Sequence, residues 1–316
     1  MTIGEALRDA AVRLEPVGGT GRLDAVFLLA HAGGVSRAEM IAHRERELEP
    51  EIVQRFEALV EQRAHGAPLA YVTGEAGFYG RMFEVDARVL VPRPETELAV
   101  EWAVRHLRAT GREKGVAADV GTGSGALAVT LACELPGLGV FASDVSQDAL
   151  SVARRNAARN EVFQHVTFLH GDLAAPLLPY APFDCVVANL PYVPTAECAA
   201  APDPVAFEPM LARDGGADGL ALYRRFVRDL PSLVAPRGIA VLEAAPANAR
   251  VLEELVRDLL PGAGVETVAD FAGLDRFVVV VIPPSAFQLD QRPAVETEDA
   301  ERPGEPVQPE QTSRQG

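Results

Sequence analysis

The chain has 316 residues, of which 48% are hydrophobic, enough for one large domain or two modest ones around a sizeable core. Its formal net charge of −16 disfavours broad electrostatic binding to nucleic-acid backbone, and no run of about eighteen apolar residues is present to cross a membrane. Three cysteines, Cys133, Cys185 and Cys198, are too few and too scattered for a disulfide framework or zinc site, and the six histidines lack metal-ligand spacing, so no metal is expected.

The opening stretch, MTIGEALRDAAVRLEP, has acidic residues where a signal peptide needs a basic flank and an apolar run, so a cytoplasmic location is expected. From there to about His65, apolar residues recur at helical spacing, as in LDAVFLLAHAGG and PEIVQRFEALVEQRA, with breaks at Gly33-Gly34 and Pro50. The pattern predicts a small helical domain over residues 1–70. Residues 71–92, which include GFYGRMFEVDARVLVP, alternate in short pieces and read as a β-hairpin linking two domains.

From Val116 onward seven β-rich runs alternate with helical ones: VAADVG, GVFASDV, VTFLHGD, FDCVVAN, GIAVLEA, VETVADF and FVVVVI. SQDALSVARRNAARN and ANARVLEELVRDLLPG are amphipathic helices between them. The expected fold class is α/β, a seven-stranded, doubly wound, Rossmann-like sheet within residues 93–283, with ligands beyond the carboxyl ends of its strands. The last two strands are joined by GLDR, too short for a crossover helix, and should pair antiparallel. Residues 284–316, rich in Pro, Glu and Gln, are expected to form a disordered acidic tail.

The first of these strands runs into Gly121-Thr122-Gly123-Ser124-Gly125 and then the helix ALAVTLACEL. Glycines permit positive φ and close approach of a ligand to backbone at a helix start, so a cofactor belongs here. Gly121, Gly123 and Ala126 also satisfy G-x-G-x-x-G/A, which leaves nicotinamide and other adenosine cofactors open. Asp144, at the end of the second strand, suits the two hydroxyls of a ribose, or caps the helix that opens at Ser146. Asp172, with Leu173 beside it after the third strand, either faces an adenine amino group or is an ordinary turn residue.

The fourth strand ends in Asn189-Leu190-Pro191-Tyr192. Asn189 Oδ1 and the Leu190 carbonyl form a pair of acceptors suited to an NH₂ group. Pro191 restricts Leu190 to extended backbone and so stiffens the pair, while Tyr192 is placed to cover a flat substrate group.

The glycine turn, Asp144 and the Asn-Leu-Pro-Tyr segment together resemble the class I S-adenosylmethionine-dependent methyltransferases that modify amino or amide nitrogens. The rest of the chain narrows the resemblance. Its helical N-terminal part, hairpin, Pro92-Arg93-Pro94-Glu95-Thr96 segment and FEPMLARDGGADGLALYRRF are similar to the peptide chain release factor N5-glutamine methyltransferase family, HemK/PrmC, up to Val281. The resemblance implies S-adenosylmethionine as cofactor and the glutamine of the Gly-Gly-Gln motif of release factors as substrate. It also implies a docking role for the helical domain and places Pro92–Thr96 near the active site. A second reading of Thr96 and Glu97 is simply the first turn of a helix.

The chain departs from the family in two places. Leu190 stands where the family usually has proline, which leaves the backbone acceptor but loosens it. Glu243-Ala244-Ala245 stands where the family continues Glu-Ile-Gly. A nucleic-acid amino methyltransferase would keep the same four-residue site but needs a basic or aromatic surface, which the charge and the 6% aromatic content do not suggest. A non-catalytic cofactor-binding relative would account for the two departures.

Overall fold

A computed structural model of the chain describes residues 1–34, 36–199 and 205–284, so the expected acidic tail beyond Pro284 lies outside the described residues. The first five helices are α1 (Ile3–Leu14), α2 (Gly21–Gly33), α3 (Arg37–Ala42), α4 (Pro50–Ala64) and α5 (Leu69–Thr73). Their ends follow local chemistry. Thr2 with Glu5, and Ser36 with Glu39, form reciprocal capping boxes that satisfy the free N–H groups at the starts of α1 and α3. Gly34 ends α2 at φ 61, and Pro50 opens α4 where its missing N–H costs nothing. Ile3, Leu14, Leu28, Met40, Phe56 and Val60 make a core of their own, separate from the sheet's. Buried Arg63 crosses it to Asp24 at 2.7 Å and also donates to the carbonyls of Val17 and Ala67, so the charge pair is fully hydrogen-bonded.

The hairpin follows as β1 (Glu75–Phe78) and β2 (Arg81–Glu84), antiparallel with Glu75 opposite Glu84. It is shorter than the alternating segment in the sequence: Leu69–Thr73 is helical, and the chain after Glu84 leaves the strand for a turn. Tyr79 and Gly80 both have positive φ, the geometry that a two-residue loop needs to match strand twist.

The larger sheet contains β3 (Val116–Val120), β4 (Gly139–Asp144), β5 (Val166–His170), β6 (Phe183–Ala188), β7 (Val234–Glu243), β8 (Gly264–Ala269) and β9 (Asp275–Val281). The helices are α6 (Glu97–Thr110), α7 (Ala126–Glu134), α8 (Gln147–Arg159), α9 (Thr195–Ala199), α10 (Ala221–Phe226), α11 (Leu230–Leu233) and α12 (Ala249–Leu259). Strand order is β5-β4-β3-β6-β7-β9-β8, parallel except that β9 runs antiparallel between β7 and β8. The expected seven strands, and the antiparallel pairing of the last two, are thus present.

Two apolar layers cover the sheet, one built on α6 and α7 and the other on α10, α11 and α12. β6 is buried along its whole length, which is why FDCVVA carries no polar alternation beyond Asp184. Asp184 itself is buried against Arg112 at 2.6 Å and accepts the Val116 N–H. The order in which strands are added across the sheet reverses between the parallel neighbours β3 and β6: β4 and β5 lie to one side of β3, β6 and β7 to the other. That switch opens a crevice beyond the carboxyl ends of the strands.

Candidate active site

A cavity of about 500 Å³ occupies this crevice. Its walls include the turn after β3 (Gly121, Thr122, Gly123 and Ser124), the end of β4 (Asp144), the end of β5 (Asp172, Leu173) and the end of β6 (Asn189, Leu190, Pro191). All four strand ends singled out in the sequence therefore meet at one place. Gly125 and Tyr192 do not line it.

The glycine turn is held from behind. Asp119, the last residue but one of β3, accepts the Thr122 hydroxyl at 2.6 Å and the Ala128 N–H at 3.1 Å through one oxygen, tying the turn to the start of α7. Its other oxygen, Oδ1, is buried with no hydrogen-bond partner among the described residues, and burial raises the carboxyl's pKa to about 7, opposed by the Thr122 and Ala128 bonds and reinforced by Asp144. Gly125, at φ 81, allows α8 to approach: a Cβ there would come within 3.0 Å of the Ala153 Cβ. Its role is packing. Asn156, fully buried on α8, donates to the Ser124 carbonyl and to the Glu84 carbonyl and accepts the Glu84 N–H, fastening the hairpin to the turn.

Asp144 accepts the Gly123 N–H at 2.9 Å through Oδ2 and the Ser146 N–H at 2.8 Å through Oδ1. Each oxygen keeps a further lone pair for a ligand hydroxyl. Burial raises its pKa against those two bonds. Ser146 caps α8 itself, accepting from Ala149. Asp172 is exposed at the rim and its carboxylate pairs with Arg225, while Leu173, at φ 49, presents its carbonyl to the Ser143 hydroxyl.

At the β6 end, Asn189 Nδ2 donates to Thr96 Oγ1 at 3.2 Å. Among the described residues, neither Asn189 Oδ1 nor the Leu190 carbonyl accepts a hydrogen bond. Leu190 is buried, and its Cδ2 lies 3.0 Å from where a Cβ on Gly121 would stand, so the β3 turn and the β6 turn are in contact. Tyr192 points its hydroxyl to Glu243 Oε1 at 3.3 Å, beneath the site, and burial raises its pKa. Its side chain is thus turned to Glu243 and is not among the residues that line the cavity.

The segment Pro92–Thr96 contributes Pro92, Arg93 and Thr96 to the cavity, and the same residues lead through a short 3₁₀ turn into α6. Arg93 pairs at 2.6 Å with Glu208, whose other oxygen accepts the Val91 N–H. This joins the segment to residues 205–213, whose Pro209, Leu211 and Ala212 form the opposite rim. Burial raises the Glu208 pKa while Arg93 lowers it. Reading the sequence missed Asp119, Glu208, Tyr223 and Arg225. Asp119 had a signal, an acid directly before the glycine turn; the others become neighbours only through packing.

Among the described residues no helix is long and apolar enough to cross a membrane. Residues 5–74 match the PrmC N-terminal domain family and residues 117–204 a methyltransferase domain family. The chain is 40% identical over 278 residues to a release factor glutamine methyltransferase of Moorella thermoacetica, covering 87% of this chain and 97% of that protein. It is 40% identical over 262 residues to one of Chlorobaculum tepidum, covering 81% of this chain and 88% of that protein. Among solved structures, the hMettl16 catalytic domain in complex with MAT2A 3′UTR hairpin 6 matches with a TM-score of 0.51 at 16% identity, over 72% of this chain and 82% of that one; at that identity the likeness is one of fold.

Proposed function

Because this chain belongs to the release factor glutamine methyltransferase family, we propose that it methylates the side-chain amide nitrogen of a glutamine in a protein, using S-adenosylmethionine. The observation that carries this reading is the pair of open acceptors, Asn189 Oδ1 and the Leu190 carbonyl, at the wall of a cavity that also contains the glycine turn and Asp144. The residues present fit the cofactor. Gly123, at φ 55, has, chain neighbours aside, no described residue within 4 Å of where its Cβ would be, so the backbone there is open toward a ligand, and Asp144 has acceptor capacity for ribose hydroxyls. Gly121, Thr122, Ser124, Asp172 and Leu173 complete the walls on that side.

S-adenosylmethionine supplies a methyl group made electrophilic by a positively charged sulfur. The chain's own task is to make an amide nitrogen act as a nucleophile, which its delocalised lone pair resists. Two acceptors that take both N–H bonds fix the amide plane, aim the nitrogen and favour the positive charge that builds on it. Positioning of this kind supplies roughly 7–11 kcal/mol in well-oriented reactions, so no covalent intermediate is needed. Pro191 holds Leu190 extended, and the half-buried setting strengthens each bond.

The substrate in this reading is the glutamine of the Gly-Gly-Gln motif of a peptide chain release factor, met in the cytoplasm. Residues 1–70 would dock it, residues 71–92 link, and residues 93–283 carry the reaction. Incubation with labelled S-adenosylmethionine and a panel of release factors, ribosomal proteins, DNA and RNA, followed by mass spectrometry, tests it: the label is expected on a release factor glutamine, and label on nucleic acid alone would overturn the reading.

A further inference from the structure

A glycine turn that receives an anion does so with open backbone N–H groups, and the turn after β3 has few to offer. Gly121 and Thr122 both donate to the Ser143 carbonyl at 2.9 Å, Gly123 donates to Asp144 Oδ2 at 2.9 Å, and Gly125 donates to the Thr122 carbonyl at 2.8 Å. Of the five turn residues, Ser124 alone keeps an N–H without a partner among the described residues. The buried Asp119 carboxyl is bonded into the same turn and makes it a poor place for a second carboxylate. The cofactor proposed above nevertheless ends in a carboxylate, on a short arm that branches from the same sulfur as the methyl group. A carboxylate taken out of water needs a partner, so a cation is required elsewhere on the wall.

Among the described residues, the cations that line the cavity are Arg88, Arg93 and Arg225. Arg88 closes a two-bonded fork on Asp86, with Nε at 2.8 Å and Nη2 at 2.6 Å, and its segment packs on α8, where Val85 and Val89 meet Ala149 and Val152. Arg225 pairs with Asp172 past the end of β5, with β4 and β3 between it and the acceptor pair of β6. Neither is placed for the arm.

Arg93 stands differently. Its carbonyl accepts the Thr96 N–H at 3.1 Å, and Thr96 Oγ1 accepts from Asn189 Nδ2, so Arg93 lies one turn from the acceptor pair. Glu208, with 2% of its side chain exposed, holds the guanidinium through Nη2 alone, and the Arg93 side chain keeps 36% of its surface open. Nε and Nη1 have no partner among the described residues. Whichever Nη2 proton Glu208 takes, one edge of the planar group retains both of its donors, the geometry that receives a carboxylate through paired bonds.

We propose that Arg93 binds the carboxylate on the amino-acid arm of S-adenosylmethionine, an inference that rests on the cofactor reading above. Glu208 fixes the guanidinium from the buried side and leaves its free edge to the cavity. With Asp144 on the ribose and Arg93 on the arm, the chain grips the cofactor on both sides of its sulfur, beside the acceptor pair, and so limits where the methyl group can point.

The test is calorimetric titration with S-adenosylhomocysteine and with its decarboxylated analogue, which lacks only the group that Arg93 is assigned. The unsubstituted protein should bind the first about 10–100-fold more tightly, the worth of hydrogen bonds between charged groups. Arg93→Met should abolish that margin by weakening S-adenosylhomocysteine while the analogue binds as before, and Arg93→Lys should recover part of it. Equal affinity of the unsubstituted protein for the two ligands would overturn the assignment without recourse to any variant. A loss in Arg93→Met shared equally by both ligands would overturn it as well, since Arg93 would then shape the cavity without touching the carboxylate. Failure of the unsubstituted protein to bind either ligand would instead overturn the cofactor reading itself.

Discussion

The Leu190 backbone N–H donates to the Tyr223 hydroxyl at 3.2 Å, and Tyr223 shares its own proton between the carbonyls of Ala188 and Glu243. One fully buried phenol thus ties the ends of β6 and β7 to the backbone of the acceptor pair. A proline at 190, usual in the family, has no N–H and could not make this bond. Leu190 gives up the ring's rigidity and gains a donor, and Tyr223 returns part of the restraint.

This relationship predicts coupling. Tyr223→Phe strands the buried Leu190 N–H and should cost about 1–3 kcal/mol of stability in urea unfolding. In a Leu190→Pro background the stranded group is absent, so the same substitution should cost less, with a coupling of roughly 0.5–1.5 kcal/mol between contacting residues. Additive effects would mean that Tyr223 acts on the strand ends alone.

Asn189→Ala and Asp144→Ala should separate chemistry from binding. The first removes a side-chain acceptor and should lower kcat by about 10²–10³-fold, the range seen when one preorganised polar group is lost, with cofactor affinity nearly intact by calorimetry. The second should weaken cofactor binding by about 1.5–3 kcal/mol, the value of hydrogen bonds to a charged group. An active Asn189→Ala protein would remove the acceptor pair from the mechanism.

Two glycines in the turn should respond differently to alanine. Gly121 and Gly123 both have positive φ, so each substitution should cost about 1–2 kcal/mol in thermal unfolding. Gly121→Ala also brings a Cβ to 3.0 Å from Leu190 Cδ2 and should disturb kcat. Gly123→Ala meets, chain neighbours aside, no atom of the described residues within 4 Å, and its added methyl should act on the ligand, weakening cofactor binding.

Asp119 should make stability pH-dependent. Its folded-state pKa of about 7 lies above the ordinary carboxylate value, so between the two the folded chain holds more protons than the unfolded one. Stability therefore falls as pH rises through that interval. Asp119→Asn keeps an acceptor for Thr122 and Ala128 but cannot ionise, so its stability relative to the unsubstituted chain should improve between about pH 4 and about pH 7 in urea titrations. A constant difference would show that Asp119 does not titrate in that range.

The sequence by itself determined the strand–helix alternation, the helical N-terminal region, the antiparallel last pair and the strand-end residues that meet at the cavity, because each depends on spacing along the chain: periods of two and of 3.6, glycines at a turn, a proline after a strand. The strand order and the crevice at the β3/β6 switch came only with the fold, since pairing joins segments far apart in sequence. Tertiary structure alone also decided that Tyr192 faces Glu243, that Asp172 is taken by Arg225, and that Thr96, some ninety residues before Asn189, holds its amide. A side chain's type declares what it can bond to, but only packing brings it a partner, as Thr96 is brought to the Asn189 amide.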